Sequence, residues 1–159
     1  MWVWCERAIE GIIHTLEAWV RGIYWTLMWR IGNEEFSDFG VLAVALEPLT
    51  GYSDKQIATK LNVDIEDWKN SKRLLQKSHH GELPLIAVID DNVIAIPHWP
   101  KFQKEYDRQK KYRDPHMKEL HHMLQEKILA AVTANGYREE LQPKVTRKVT
   151  TRIENREKA

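Results

Sequence analysis

Between Trp2 and Ile31 the apolar positions fall at alternating three- and four-residue steps: Trp2, Cys5, Ile9, Ile12, Leu16, Trp19 and Ile23. That spacing predicts one long helix with the seam of a coiled coil. Ala8, Ile13, Val20, Tyr24 and Leu27 widen the apolar stripe beyond a narrow seam. Gly11 and Gly22 weaken such a helix by about 1 kcal/mol each, so packing has to hold it. Two readings of the stripe stand side by side. It is a core helix, or it is a dimerisation or partner-docking helix whose contacts are Trp2, Ile9, Leu16, Trp19 and Ile23. A helix lying in a membrane surface fits less well, because the polar face is not strongly basic. Glu6, Arg7, Glu10, Glu17 and Arg21 interrupt any uncharged run of about 18 residues, so no transmembrane span is expected.

Gly32-Asn33 closes this segment, and Ser37 or Asp38 is placed to cap a short helix through Leu46. Pro48 and Thr50-Gly51 mark a connection. Ser53 then caps a helix over Asp54 to Leu61, with Gln56 at the position that completes a capping box. Ile57, Ala58 and Leu61 form its buried side. Asn62-Val63-Asp64 reads as a tight turn, and Asp64 as the cap of a helix from Ile65 to about Ser78. Trp68, Leu74 and Leu75 point inward on it. The β-branched runs Leu85 to Ile89 and Val93 to Ile96, separated by Asp90-Asp91-Asn92, predict a hairpin that Pro97 ends. His98 to Arg113 is aromatic and basic. Asp114 caps and Pro115 begins a last helix, striped by Met117, Leu120, Leu124, Ile128 and Val132 and stopped by Asn135-Gly136.

The predicted fold is therefore mainly α: a winged helix-turn-helix with a small β-hairpin wing, a long N-terminal helix and a C-terminal helix. Residues 1–32 form the tryptophan-rich helix, 33–100 the winged helix-turn-helix domain, 101–136 a basic linker and the C-terminal helix, and 137–159 a basic flexible tail. Composition agrees with one compact unit, since the 159 residues are 43% hydrophobic and 30% charged. The single cysteine excludes an internal disulfide and fits a reducing cytoplasmic setting. No signal peptide is expected, because the first residues are apolar rather than basic.

A helix, a tight turn, a second helix and a hairpin make a device that reads DNA. The second helix enters the major groove, Lys and Arg neutralise phosphates, and Asn and Arg pair with purine edges. Lys69, Asn70, Lys72, Arg73 and Lys77 lie on the outer faces of that helix, and Lys55 and Lys60 on the first helix reach phosphates. Lys101, Lys104, Arg108, Lys110, Lys111 and Arg113 add a basic run after the hairpin. Charge limits this reading. The net charge is only +1, so any binding face has to come from local segregation. Glu66 and Asp67 on the reading helix, and Asp90 and Asp91 at the wing tip, repel phosphate. A winged helix that docks protein is the competing reading.

Asp91-Asn92-Val93-Ile94-Ala95-Ile96-Pro97-His98-Trp99-Pro100-Lys101-Phe102-Gln103, with the basic run to Arg113, resembles the end of the N-terminal winged-helix domain of phage replisome organisers and related replication initiators. The segment Tyr52 to Leu75 is similar to their helix-turn-helix, so the likeness spans about residues 38–113. It implies sequence-specific duplex binding at a replication origin, recruitment of replication machinery, and location in a host cytoplasm. The tryptophan-rich first helix and the segment His79 to Pro84 depart from that pattern. A homodimer on a two-fold DNA site is expected from the apolar helices. The competing module, an inhibitor of a host nucleoprotein complex for instance, would dock through the first helix or the Met117–Val132 stripe.

Other chemistry finds little footing. His79-His80 and His116 with His121-His122 lack cysteines or well-spaced carboxylates, so no metal is expected. There is no glycine-rich phosphate loop and no carboxylate pair in an apolar setting, so neither an enzyme nor a cofactor is expected.

Overall fold

The computed structural model describes residues 15–77, 82–103 and 113–137, with Ile13 and Gln109. It is mainly helical with a small antiparallel sheet. In chain order the elements are α1 (Ala18–Gly32), β1 (Val41–Leu42), β2 (Ala45–Leu46), β3 (Leu49–Thr50), α2 (Asp54–Leu61), α3 (Ile65–Leu75), β4 (Ala87–Ile89), a 3-10 turn (Asp90–Asn92), β5 (Val93–Ala95), α4 (Trp99–Phe102) and α5 (Pro115–Ala134). Among the described residues no helix is long and apolar enough to cross a membrane.

The first helix departs from the expected run over Trp2 to Ile31. Residues 1–12 lie outside the described residues. Among those described, Thr15 to Glu17 are not helical, and Glu17 stands extended at φ −61°, ψ 150° as the cap of α1. The buried face of α1 is Val20, Ile23, Tyr24, Leu27, Met28 and Ile31. These recur at three- and one-residue steps and form a single broad stripe, which a core needs and a narrow seam is not. Ile23 thus belongs to the core rather than to a docking face.

The short helix expected from Ser37 or Asp38 through Leu46 is also absent. Consecutive turns run from Glu34 to Gly40, and strands follow. Adjacent Val41 and Leu42 are both buried, and only a strand sends neighbouring side chains to opposite faces. Gly40 makes the corner at φ +67°, and a Cβ there would stand 2.2 Å from Cγ of Trp99. The connection at Pro48 folds into a hairpin of its own, Ala45 opposite Thr50 and Leu46 opposite Leu49.

Of the two central helices, α2 forms as its cap dictates, whereas Asp64 stands at the N-cap position of α3 without a side-chain capping bond. Ser53 accepts from the Gln56 amide while its own amide donates to the Gln56 side chain, the reciprocal capping box. Asn62, left-handed at φ 56°, ends α2, and α3 begins beyond it at Ile65. The end of α3 falls at Leu75, short of Ser78. Trp68, Ser71 and Leu75 are its buried residues; Leu74 is half-buried.

The sheet has the order β1-β5-β4, with Val41 opposite Ala95 and Ile89 opposite Val93. Strand alternation sorts its side chains into two apolar layers. Leu42, Val88 and Ile94 pack with α1, α2 and α3. Val41, Ala87, Ile89, Val93 and Ala95 pack with Leu124, Ile128 and Val132 of α5. The Met117–Val132 stripe, one of the two surfaces expected to dock a partner, is therefore the cover of the sheet. Asp114 caps α5 by accepting from the His116 amide at 2.9 Å.

Truncating Leu124 to alanine removes the centre of that cover. The expected loss is about 2–5 kcal/mol of unfolding free energy, the usual cost of a buried leucine. Urea denaturation checks it, and a loss below about 1 kcal/mol would mean that α5 does not contribute to the core.

Candidate nucleic-acid interface

On α3 the positions 69, 72 and 73 return to one side of the helix by their three- and four-residue spacing, and Gln76 and Lys77 follow directly after its last residue. With Asn135 at the end of α5, these residues line an open depression of about 390 Å³. Lys69, Arg73 and Lys77 are exposed there, and Asn70 is exposed beside them. Lys69–Arg73 is a like-charge pair one turn apart, a spacing that costs an isolated helix about 0.2–0.5 kcal/mol, and Lys77 adds a further cation just beyond the helix end. Lys69 is eased by Glu66 at 3.9 Å, between two well-exposed side chains. Glu66 and Asp67 occupy the first turn and Lys72 and Arg73 the last, which suits the helix dipole at each end. The dipole does not explain a further cation at Lys69 and another at Lys77.

Lys72 is different. Its side chain is only 19% exposed, and its ammonium donates to Asp54 Oδ1 at 2.9 Å and to Asn92 Oδ1 at 2.6 Å. The same carboxylate oxygen accepts from the Trp68 indole at 3.0 Å and the Asn92 amide at 3.1 Å. Asn92 also donates to the Tyr52 carbonyl at 2.8 Å. Partial burial works against the Asp54 carboxylate, but the hydrogen bonds from Lys72, Trp68 and Asn92 outweigh it and hold its pKa below the ordinary value.

Lys60 is likewise engaged. It bonds Glu34 at 3.1 Å and lies 4.6 Å from the centre of the Tyr52 ring. Lys55, Lys101 and Arg113 are exposed, on α2, on α4 and just before α5. Lys104, Arg108, Lys110 and Lys111 lie outside the described residues, as do Trp2 and Ile9. Leu16 is half-buried against the core. Trp19 and Trp29 stand on the outside of α1, 41% and 61% exposed.

The acids expected to repel phosphate at the hairpin turn are occupied. Asp90 pairs with Lys127 of α5, and Asp91 accepts from the Gly51 amide at 3.1 Å. A Cβ at Gly51 would stand 2.1 Å from the Asp91 carbonyl oxygen, so glycine is what lets the turn close onto the body. The turn is tied down by Gly51, Tyr52, Asp54 and Lys72.

The Trp99–Gln103 element is structural. Trp99 donates its indole N–H to the Ser37 carbonyl at 2.7 Å, and Gln103 its amide to the Asp38 carbonyl at 2.9 Å. His98 is buried, with Nε2 2.8 Å from the Leu83 carbonyl oxygen and Nδ1 without a hydrogen-bond partner among the described residues. Sequence reasoning missed Gln76 and Asn135 as lining residues, Asp54 and Asn92 as partners of Lys72, and Trp68 as a second donor to Asp54. Only Gln76 carried a signal, one turn beyond Lys72 on the same face. No protein-family model, curated protein or solved structure matches this chain.

Burial lowers the pKa of His98, ahead of the smaller opposing effect of its bond to Leu83. The unfolded chain then takes up this proton first as pH falls. The neutral ring contributes its full stability above about pH 6.5, the unfolded value, and loses it on acidification toward the lower folded value. Unfolding free energy measured from pH 7.5 to 5 should fall more steeply in the wild type than in His98→Gln. Parallel profiles would assign the acid sensitivity to other groups.

Proposed function

We propose that this chain is a sequence-specific duplex-DNA-binding protein, a winged helix-turn-helix of the replication-initiator type that reads the major groove with α3. The chain order supports the fold: helix, strand, a small hairpin of two further strands, helix, tight turn, helix, strand, strand, with the last strand central in the three-stranded sheet. The observation that carries the function is the cluster of Lys69 and Arg73, one turn apart on α3, with Lys77 just beyond its end, on one open face in a chain of net charge +1. Segregation of this kind creates a local positive potential that the global balance conceals. Asn70, exposed beside this cluster, is the side chain suited to an adenine edge.

Because the hairpin turn is folded back, the binding free energy rests on α3, with Lys55, Lys101 and Arg113 as outlying phosphate contacts. The helix is read from its second half. Glu66 and Asp67 occupy the first turn, so the duplex approaches nearer to Arg73 and Lys77 than in a helix read from its N-terminus.

A protein-docking module of the same fold, acting on replication or other nucleoprotein machinery, is the second reading. The exposed Trp19 and Trp29 favour it. Light scattering and a mobility shift separate the two, and light scattering also decides the homodimer.

A duplex selected from a random pool by the wild-type protein provides the test. The double variant Arg73→Ala, Lys77→Ala should bind it more weakly. The slope of log affinity against log salt should become shallower by about 0.9 for each phosphate that is no longer neutralised. Unchanged affinity and slope at matched salt would sink the assignment of α3.

A further inference from the structure

Lys72 has the spacing of a DNA contact and the surroundings of a structural residue. Trp68 and Lys72, one turn apart on α3, both donate to the same oxygen of Asp54, at the first position of α2. Two donors one turn apart that converge on one atom fix both the rotation and the axial position of a helix, because a roll carries both donors away from that atom and a slide lengthens one bond or the other. Asn92 adds a third anchor from the turn between β4 and β5, bonded to Asp54, to Lys72 and to the Tyr52 carbonyl. The hub joins α2, α3 and the hairpin turn across sequence separations of 14 to 40 residues. It lies at the inner border of the face that carries Lys69, Asn70, Arg73 and Lys77.

Base readout needs side chains held to within about 0.5 Å and 10–20° of the productive geometry. A hub that sets the roll of α3 sets which of its side chains meet the base edges. We infer that Lys72, held by Asp54 and Asn92, is a positioning residue that determines the specificity of α3 and is not itself a phosphate contact. This inference rests on the duplex-DNA reading above.

The two roles give different signatures in a salt series. A phosphate contact contributes about 0.9 to the salt slope, and a positioning residue contributes nothing to it. A role in folding alone leaves the ratio of specific to non-specific affinity untouched in folded protein. The experiment measures affinity for the selected duplex and for a scrambled duplex of the same length, across salt, on protein shown to be folded by circular dichroism. The variants are Lys72→Met, Asp54→Asn and Asn92→Gly. The last is mild, because Asn92 sits at φ 60°, where glycine is at ease.

Lys72→Met should keep the wild-type slope and lower the affinity ratio about tenfold, the scale of one base contact misplaced. Asn92→Gly should do the same. Asp54→Asn should lower the ratio too, and its slope should steepen by about 0.9 as the freed ammonium turns to the duplex. A shallower slope in Lys72→Met with the ratio intact makes Lys72 a phosphate contact and overturns the inference. An unchanged ratio in Asn92→Gly and Asp54→Asn overturns it as well. Failure of the wild-type protein to select any duplex removes the DNA reading itself, a result distinct from either.

Discussion

Val93, Ile94 and Ala95 leave one strand in opposite directions, and both apolar layers of the protein are organised by that alternation. Ile94 faces the helices α1, α2 and α3, while Val93 and Ala95 face α5. Burial of both sides makes the short sheet a wall rather than a platform. Buried aliphatic side chains contribute roughly 1.5–3 kcal/mol each, and here they are shared between layers that three brief strands keep in register. A one-residue slip of β5 would send Ile94 toward α5 and its neighbours toward the helices, so both layers would lose their fit together. That double penalty holds strands of two or three residues in place.

The polar hub at Asp54 performs the complementary task on the helical side. The apolar layer holds α3 against α1 and α2, but hydrophobic contact has no direction and tolerates some roll. Hydrogen bonds are directional. Those from Trp68, Lys72 and Asn92 to a single carboxylate convert a packed helix into an oriented one. The close approach of Gly51 to the hairpin turn, and the pairing of Asp90 with Lys127, hold the third participant still. The hairpin acids, unfavourable for an anionic partner if they stood free, are drawn into the fold by these contacts. Glu66 and Asp67 remain at the exposed start of α3, and the cations occupy its other half.

Much of this is legible along the chain wherever the signal is local. The capping box at Ser53 and Gln56, the left-handed Asn62, the Asp114 cap and the hairpin about Asp90–Asn92 are decided within a few residues, and each forms where its residue types place it. The exposed cations of α3 follow from helical spacing alone. The short strand at Val41–Leu42 is not legible as a strand, because two apolar residues carry no period. Its conformation depends on Ile94 and Ala95, more than fifty positions away. The apolar period also carries the first helix through Thr15 to Glu17, which are not helical, and turns Trp19 inward, whereas Val20, Ile23, Tyr24 and Leu27 of the same broad stripe are buried; only the neighbouring helices choose among its residues.

The sequence by itself determined where the capped helices α2 and α5 lie, where α3 begins and that α3 carries an open basic face, because caps, turns and helical period act between near neighbours. Tertiary structure alone decided which cations remain available. Lys60 and Lys72 have the same side chain and similar surroundings in sequence to Lys69, yet they are bound to Glu34 and Asp54 by contacts spanning 26 and 18 residues. A charge is free or committed according to what the fold brings within about 4 Å of it, and that proximity is a property of the packed chain rather than of its residues in order.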